Sequence, residues 1–188
     1  MEMMWLIGAA IWGVAEASFF FLVPDILLTA ALLRRGPGAA LLLAVVAAIC
    51  AALTGIGMYH WGAHDPAAAQ AAMLKIPAIG PDLLARVHRE FDDAWPLRLA
   101  AGAISGVPYK LYAVEAGARH VPLWLFLPVS FAARLARFVL TILLTMLGRA
   151  LLMRWGKTHW LMPAWGAAWT LVYLVYFSLR ASQGPSTL

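Results

Sequence analysis

Five charged side chains lie within or beside the apolar stretches of this sequence, where charge is costly. Glu16 and Asp25 carry negative charge in the first apolar region. Lys110, Arg134 and Arg137 carry positive charge in the second half of the chain. Ionisable groups at membrane depth commonly mark a transport pathway or a proton relay. A buried carboxylate near a cation can take up and release a proton, and neighbouring cations can hold a phosphate group. We therefore predict that these five residues bind substrate or couple its movement to protons.

A structural interpretation of the same charges is the alternative. They could pair with one another only to make their burial tolerable. Arg134 and Arg137 are three residues apart and share one helix face, so both could instead extend along that face to the membrane surface. Glu115 and Arg119, at positions i and i+4, are predicted to form a local ion pair.

Signals for catalysis are weak. His60, His64 and Asp65 could contribute to a metal site, but the sequence offers no second cluster to complete it. It contains no recognisable nucleophile–base pair, phosphate-cradling glycine loop or zinc spacing. We therefore expect neither enzyme activity nor a cofactor or resident metal. The net charge of +5 suits membrane orientation and anionic headgroups, so we expect no nucleic-acid partner.

Composition predicts an all-α integral membrane protein. Of the 188 residues, 63% are hydrophobic and only 12% are charged, and the mean hydropathy is +0.80. About a quarter of the residues of a soluble domain are charged. Cys50 is the one cysteine, so no internal disulfide can form.

Two interrupted apolar segments are predicted to hold the charged residues. The first hairpin, 3–33, breaks at Pro24, and Asp25 is predicted to cap the helix that follows. The second hairpin, 95–118, breaks near Pro108. Broken segments in both halves of a chain are typical of transporters with inverted repeats and a midplane site. We predict a single membrane domain, 1–180, followed by a polar tail at 181–188. Besides the two hairpins, the domain would contain three full spans, at 39–63, 121–148 and 160–179. An amphipathic interfacial region is predicted at 64–94.

Short motifs in both halves resemble the DedA family, also described as SNARE-associated or VTT-domain proteins. In the first half they are E-A-S-F-F-F-L-V-P-D at 16–25 and G-I-G-M-Y-H-W-G at 55–62. In the second half they are S-G-V-P-Y-K-L-Y-A-V-E-A-G at 105–117 and S-F-A-A-R-L-A-R-F at 130–138. The likeness extends over about 13–148, in the order and spacing of the family.

This resemblance implies a fold and a function. The fold would contain two re-entrant helical hairpins that face each other at the membrane centre, with about three full transmembrane helices beside them. The function would be lipid transport, as a flippase or scramblase of the bacterial inner membrane. Its cargo would be a phosphate-bearing membrane lipid, with undecaprenyl phosphate as the first expectation. Some members also depend on the proton gradient.

The resemblance also implies roles for particular residues. By motif position, Glu16 and Asp25 are the family's acidic pair. Lys110 stands where the second hairpin usually carries an arginine after its proline. Ile104 occupies a position where the family often has another arginine, and one of the two arginines of 130–138 could replace that charge.

Two other functions remain open from the sequence. The same acids could serve a proton-coupled transporter of ions or small solutes. Alternatively, the chain could be a membrane scaffold whose amphipathic segment, 82–93, recruits a partner. The sequence predicts no oligomeric state.

Overall fold

The computed structural model describes residues 3–18, 24–76, 79–105 and 107–181, and every regular element in these ranges is helical. The predicted polar tail lies outside them beyond Ala181. The elements are α1 (Met3–Ala17), α2 (Asp25–Arg35), α3 (Pro37–His64), α4 (Pro66–Met73), α5 (Pro81–Ser105), α6 (Tyr109–Ala118), α7 (Leu123–Arg154), a 3-10 turn (Thr158–Trp160) and α8 (Leu161–Ala181).

Two of the described helices, α3 and α7, are long and apolar enough to cross a membrane. With 28 and 32 residues they measure about 42 and 48 Å, more than the hydrocarbon core of about 30 Å. Large apolar side chains project from their outer faces, such as Leu53 on α3 and Trp124 on α7. The spans predicted at 39–63 and 121–148 are therefore found as helices. The span predicted at 160–179 forms α8, and its crossing of a membrane stays a prediction.

The shorter helices α1, α2 and α6 pack against α3, whose small residues allow backbones to approach closely. Gly13 of α1 lies directly against Ala47 of α3. Gly62 of α3 meets the backbone of α6, and Gly117 of α6 meets the carbonyl of Tyr59. A Cβ atom at any of these three glycines would collide with backbone atoms, so the packing requires glycine.

The first predicted hairpin consists of α1 and α2. With 15 and 11 residues they measure about 22 and 16 Å, so neither could cross the hydrocarbon core alone. Gly8 of α1 packs against Leu27 of α2, while Glu16 and Asp25 both contact Arg137. The two helices therefore approach each other at Arg137, and the re-entrant hairpin stays a prediction. The turn between them, 19–23, lies outside the described residues.

Helix α5 joins the amphipathic region to the second hairpin, although the sequence predicts two separate elements. It begins at Pro81 and bends at Ala94, which has the non-helical angles φ −142° and ψ 62°. Pro96 explains the bend, because a proline removes a helical hydrogen bond and crowds the residues before it. Helix α6 follows the non-helical residues Val107 and Pro108, and its role as the second arm of a hairpin stays a prediction.

The amphipathic region covers the core of the protein. Asp65 caps α4 by accepting a hydrogen bond from the backbone nitrogen of Ala68 at 2.9 Å. On α5, Val87 and Phe91 are buried in a core cluster shared with α6. The apolar face of α5 is thus occupied within the chain.

Contacts divide the chain into two compact units, 1–142 and 143–188. The first contains α1 to α6 and the first part of α7, and the second contains the rest of α7, the 3-10 turn and α8. Helix α7 continues to Arg154, beyond the end of the span predicted at 121–148. Its apolar residues Leu151 and Leu152 extend the helix across the predicted end. The single membrane domain over 1–180 stays a prediction.

Candidate functional site

Four of the five predicted charged residues meet between α1, α2 and α7. Arg134 pairs with Glu16 through Nη2 and Oε2. Arg137 lies between the two acids: its Nη1 is 3.5 Å from Glu16 Oε1, and its Nη2 donates to Asp25 Oδ2 at 2.9 Å. We call Glu16, Asp25, Arg134 and Arg137 the four-charge cluster. Two acids and two bases give it no net formal charge when all are ionised.

The cluster is buried, and it lies in the middle of α7. Glu16, Asp25 and Arg134 are 9%, 1% and 4% exposed, and the Arg137 side chain is 19% exposed. Arg134 follows the start of α7 by eleven residues, or about 17 Å. Arg134 is thus paired with Glu16 inside the protein, and the alternative that both arginines extend to the membrane surface stays a prediction.

Asp25 is not the helix cap that the sequence predicts. Helix α2 begins at Asp25 itself, Pro24 occupies the cap position, and no side-chain cap bond is formed. Proline can open a helix without an N–H donor, which frees the Asp25 carboxylate for other partners. That carboxylate accepts from Arg137 and, at 2.7 Å, from Thr141 Oγ1. Its position in the first turn of α2 also suits the positive end of the helix dipole.

Arg134 contacts both broken segments. Its guanidinium carbon lies 5.3 Å from the centre of the Tyr109 ring on α6 and 5.1 Å from that of Phe138. Cation–π attraction at these distances holds the charged group between two rings. Because Glu16 belongs to the first broken segment and Tyr109 to the second, the two segments meet at one arginine.

Sequence reasoning missed the polar residues that accompany the arginines on α7. Ser130, Arg134, Arg137 and Thr141 follow one another at intervals of four, three and four. This spacing places all four on one face of an otherwise apolar helix. The stripe could have been found from the sequence, and it would have identified Thr141 as a partner for a buried acid.

Lys110, the fifth predicted residue, is buried on α6 at 4% exposure. It follows Tyr109 directly in the sequence, but it takes no part in the ion pairs that join the four-charge cluster. The side chain of Ile104, the predicted position of a missing arginine, lies outside the described residues.

A second charged group joins α5 to the end of α6. Arg119 donates to Glu115 Oε1 at 2.7 Å, which confirms the predicted ion pair. It also donates to the Asp92 carboxylate and, at 2.8 Å, to the backbone carbonyl of His88. The hydrogen bond from Arg119 lowers the pKa of Asp92 because it stabilises the ionised form. His88 Nδ1 lies 2.8 Å from Glu115 Oε1, so this group fixes the bent helix against α6.

The possible metal site at the end of α3 has few ligands among the described residues. The His60 and His64 rings stack with their centroids 6.3 Å apart, and the Asp65 carboxylate caps α4. Within the described ranges, no group of three or more His, Cys, Asp or Glu side chains could hold a metal ion. These two histidines alone do not make a structural zinc site, which needs four ligands.

Comparisons with known proteins do not assign a function to this chain. No family model matches the chain, and neither the curated proteins nor the solved structures include a match. The DedA resemblance therefore stays a prediction that depends on the short motifs of the two halves.

Proposed function

We propose that this chain is an integral membrane transporter that moves a phosphate-bearing lipid across the bacterial inner membrane, with undecaprenyl phosphate as the expected cargo. The observation that carries this proposal is the four-charge cluster, which lies buried among apolar helices. Ionisable groups in such surroundings are costly and are commonly retained for function.

A purely structural role explains the cluster less well. The free energy needed to remove two charges from water is about as large as the free energy gained from their attraction. Well-packed apolar residues therefore often stabilise a core as well as a buried ion pair does. Here four charged residues come from three helices, and Arg137 is shared between two acids. Shared ligands can exchange partners, which a transport site requires and a structural pair does not.

The packing of the short helices supports entry of the hairpins from opposite membrane faces. Helix α2 ends at Arg35, beside the start of α3, whereas Gly117 near the end of α6 packs against Tyr59 near the end of α3. The broken ends of both segments face Arg134 from these opposite directions. Such an arrangement resembles inverted repeats around a midplane site.

In the proposed cycle, the lipid phosphate exchanges with a carboxylate. Arginine binds carboxylate and phosphate with the same planar donors, so Glu16 and Asp25 occupy positions that a phosphate would take. Protonation of either acid would weaken its hold on Arg134 or Arg137 and release the arginine for the headgroup. Lys110 would add a third positive charge from the second hairpin, and the lipid tail would stay in the bilayer.

Glu16→Gln tests the proposal. In vesicles with purified protein, we expect this substitution to abolish the movement of labelled undecaprenyl phosphate while the protein remains folded, because glutamine keeps the shape and removes the titrating charge. Glu90→Gln is the matched control, since Glu90 lies on α5 outside the cluster, and it should transport normally. A well-folded Glu16→Gln protein with normal transport would refute the role of the cluster.

Binding of the cargo can be tested separately by native mass spectrometry. We expect co-purified polyprenyl phosphate in the wild-type protein and its loss in Lys110→Ala and Arg137→Ala. Lys75→Ala is the control, because Lys75 is exposed. Retention of the lipid in both cluster-side variants would show that these cations do not hold the headgroup.

The neutrality of the cluster also favours a second candidate, a proton-coupled transporter of ions or small solutes. Both arginines are already matched by acids, so proton exchange at Glu16 or Asp25 could drive solute movement without a lipid anion. Ion-dependent flux in vesicles that lack the cargo lipid would support this candidate. The scaffold hypothesis stays a prediction, and it would have to use the charged face of α5 because Val87 and Phe91 are buried.

A further inference from the structure

Three polar groups beside the four-charge cluster are buried without a hydrogen-bond partner among the described residues. They are the Tyr109 hydroxyl, Ser130 Oγ and Arg134 Nε. Ser130 is fully buried, and Tyr109 and Arg134 are 5% and 4% exposed. Buried polar groups in folded proteins nearly always have partners, so each exception requires a physical explanation.

The three groups lie together. The Tyr109 ring lies 5.3 Å from the guanidinium carbon of Arg134. Ser130 precedes Arg134 by one helical turn on the same face of α7. Its hydroxyl is near enough to the Tyr109 hydroxyl for the two to attract each other, but the pair does not meet the distance and angles of a hydrogen bond. On the α3 side, that hydroxyl lies directly against Gly55, where a Cβ atom would collide with it. Helices α3, α6 and α7 therefore enclose one group of unpaired donors.

We propose that Tyr109, Ser130 and Arg134 form a subsite for the phosphate oxygens of a lipid headgroup. This inference rests on the proposed function and adds two binding residues to it. Two hydroxyls and a guanidinium N–H each donate a hydrogen bond, and a phosphate offers several strong acceptor oxygens. Glu16 engages Nη2 of Arg134, whereas Nε remains for a second acceptor.

The position of the subsite selects the lipid as the source of the phosphate. It lies between helices whose outer faces are apolar, so an acyl or prenyl tail can remain in the bilayer while its headgroup reaches the donors. A free phosphate ion would have to leave water without this compensation. A buried water molecule is the competing occupant, because a water also satisfies two to four polar groups.

Tyr109→Phe and Ser130→Ala test the subsite, since each removes a hydroxyl and little else. The probe is dioleoyl phosphatidic acid added to the full-length protein in detergent micelles, with the rise in Tm as the readout of binding. We expect phosphatidic acid to stabilise the wild-type protein and to bind each variant about ten-fold or more weakly, as loss of a hydrogen bond to a charged group requires. Dioleoylglycerol, which lacks the phosphate, should give no shift.

Tyr59→Phe is the matched control. The Tyr59 hydroxyl donates to the Val121 carbonyl at 2.6 Å, so its loss should lower the Tm without changing the affinity for phosphatidic acid. Tyr109→Phe should show the opposite pattern, with an unchanged or higher Tm and a weaker affinity. This contrast separates a ligand-binding hydroxyl from a structural one.

Three results would overturn the subsite: wild-type affinity in both variants, no binding of phosphatidic acid to the wild-type protein, or an equal shift with inorganic phosphate alone. Transport of labelled undecaprenyl phosphate, the expected cargo, in vesicles separates this inference from the proposed function. Transport by the wild-type protein that survives both substitutions unchanged would refute the subsite and leave the transporter. Hydroxyl-dependent binding without wild-type transport would support the subsite and refute the transporter.

Discussion

Replacing Asp25 with asparagine should destabilise the protein by an amount that the geometry allows us to estimate. Asp25 is 1% exposed and accepts hydrogen bonds from Arg137 at 2.9 Å and from Thr141 at 2.7 Å. The asparagine oxygen can still accept from Thr141, but its amide group would face the Arg137 donor. One hydrogen bond to a charged group is then lost, at a cost of about 1.5–3 kcal/mol.

Arg137 determines where in that range the effect falls. Breaking a fully buried pair costs about 3–5 kcal/mol, because the remaining charge is left without a partner. The Arg137 side chain is 19% exposed and keeps Glu16 at 3.5 Å, so water and the second acid offset part of this cost. We expect Asp25→Asn to lower the free energy of unfolding by about 2–3 kcal/mol.

A double-mutant cycle isolates the interaction. If the two side chains stabilise each other, Asp25→Asn combined with Arg137→Gln should cost at least about 1 kcal/mol less than the sum of the single substitutions. Unfolding by denaturing detergent in mixed micelles, followed by the fluorescence of the nine tryptophans, measures each value. Additivity to within about 0.5 kcal/mol would refute the ion pair as described.

Thr141→Val provides a second check on the same carboxylate. Removing its hydroxyl leaves Asp25 without one donor, so we expect a loss of about 1.5 kcal/mol. Thr54→Val is the matched control, because Thr54 Oγ1 donates only to the Cys50 carbonyl of its own helix turn. Such local bonds add little to helix stability. Equal effects of the two substitutions would contradict a special role for Thr141.

Two further predictions concern packing and pH. Gly117→Ala should cost about 1–3 kcal/mol of unfolding free energy, because the new methyl group would collide with the Tyr59 carbonyl. Gly57→Ala, in open space on α3, should instead stabilise the protein by about 0.5–1 kcal/mol, and a similar sign for both substitutions would contradict the close packing. Burial raises the pKa of Glu90, but hydrogen bonds from Tyr112 and Arg86 outweigh it, so the pKa lies below its ordinary value of 4.5. The resulting stability is present above pH 4.5 and is lost as the pH falls through the lower folded pKa, so denaturation curves should show a smaller acid-induced loss in Glu90→Gln than in the wild-type protein.

Much of the helical architecture was predictable from local sequence features. Long apolar stretches predicted α3 and most of α7. The prediction failed where local signals competed. The sequence predicted a boundary between the amphipathic region, 64–94, and the second hairpin, 95–118, yet α5 continues through it as a bent helix because buried contacts on both sides of the bend hold it against α6.

The sequence predicted the charged residues of the candidate site but not which of them pair with each other. The desolvation cost of a charge in an apolar segment is a local property, so Glu16, Asp25, Arg134 and Arg137 could be selected without a structure. The sequence did not identify the hydroxyls of Ser130 and Tyr109 as site groups. A serine or tyrosine is common in an apolar helix, and burying its hydroxyl costs little free energy when the hydroxyl is hydrogen-bonded. Only the fold shows that, among the described residues, neither hydroxyl forms a hydrogen bond of normal geometry.

The sequence by itself therefore determined that the chain is helical, where its apolar segments break, and which charges those segments contain. These properties depend on a residue and its near neighbours along the chain: side-chain hydropathy, the backbone restriction imposed by proline, and the cost of removing a charge from water. Only the tertiary structure decided that Arg137 binds Asp25, 112 residues away, and that Lys110 stays outside the cluster. Several pairings of two acids with three cations would satisfy charge equally well. The packing of α1, α2 and α6 around α3, and the side of α7 that faces them, select one of these pairings.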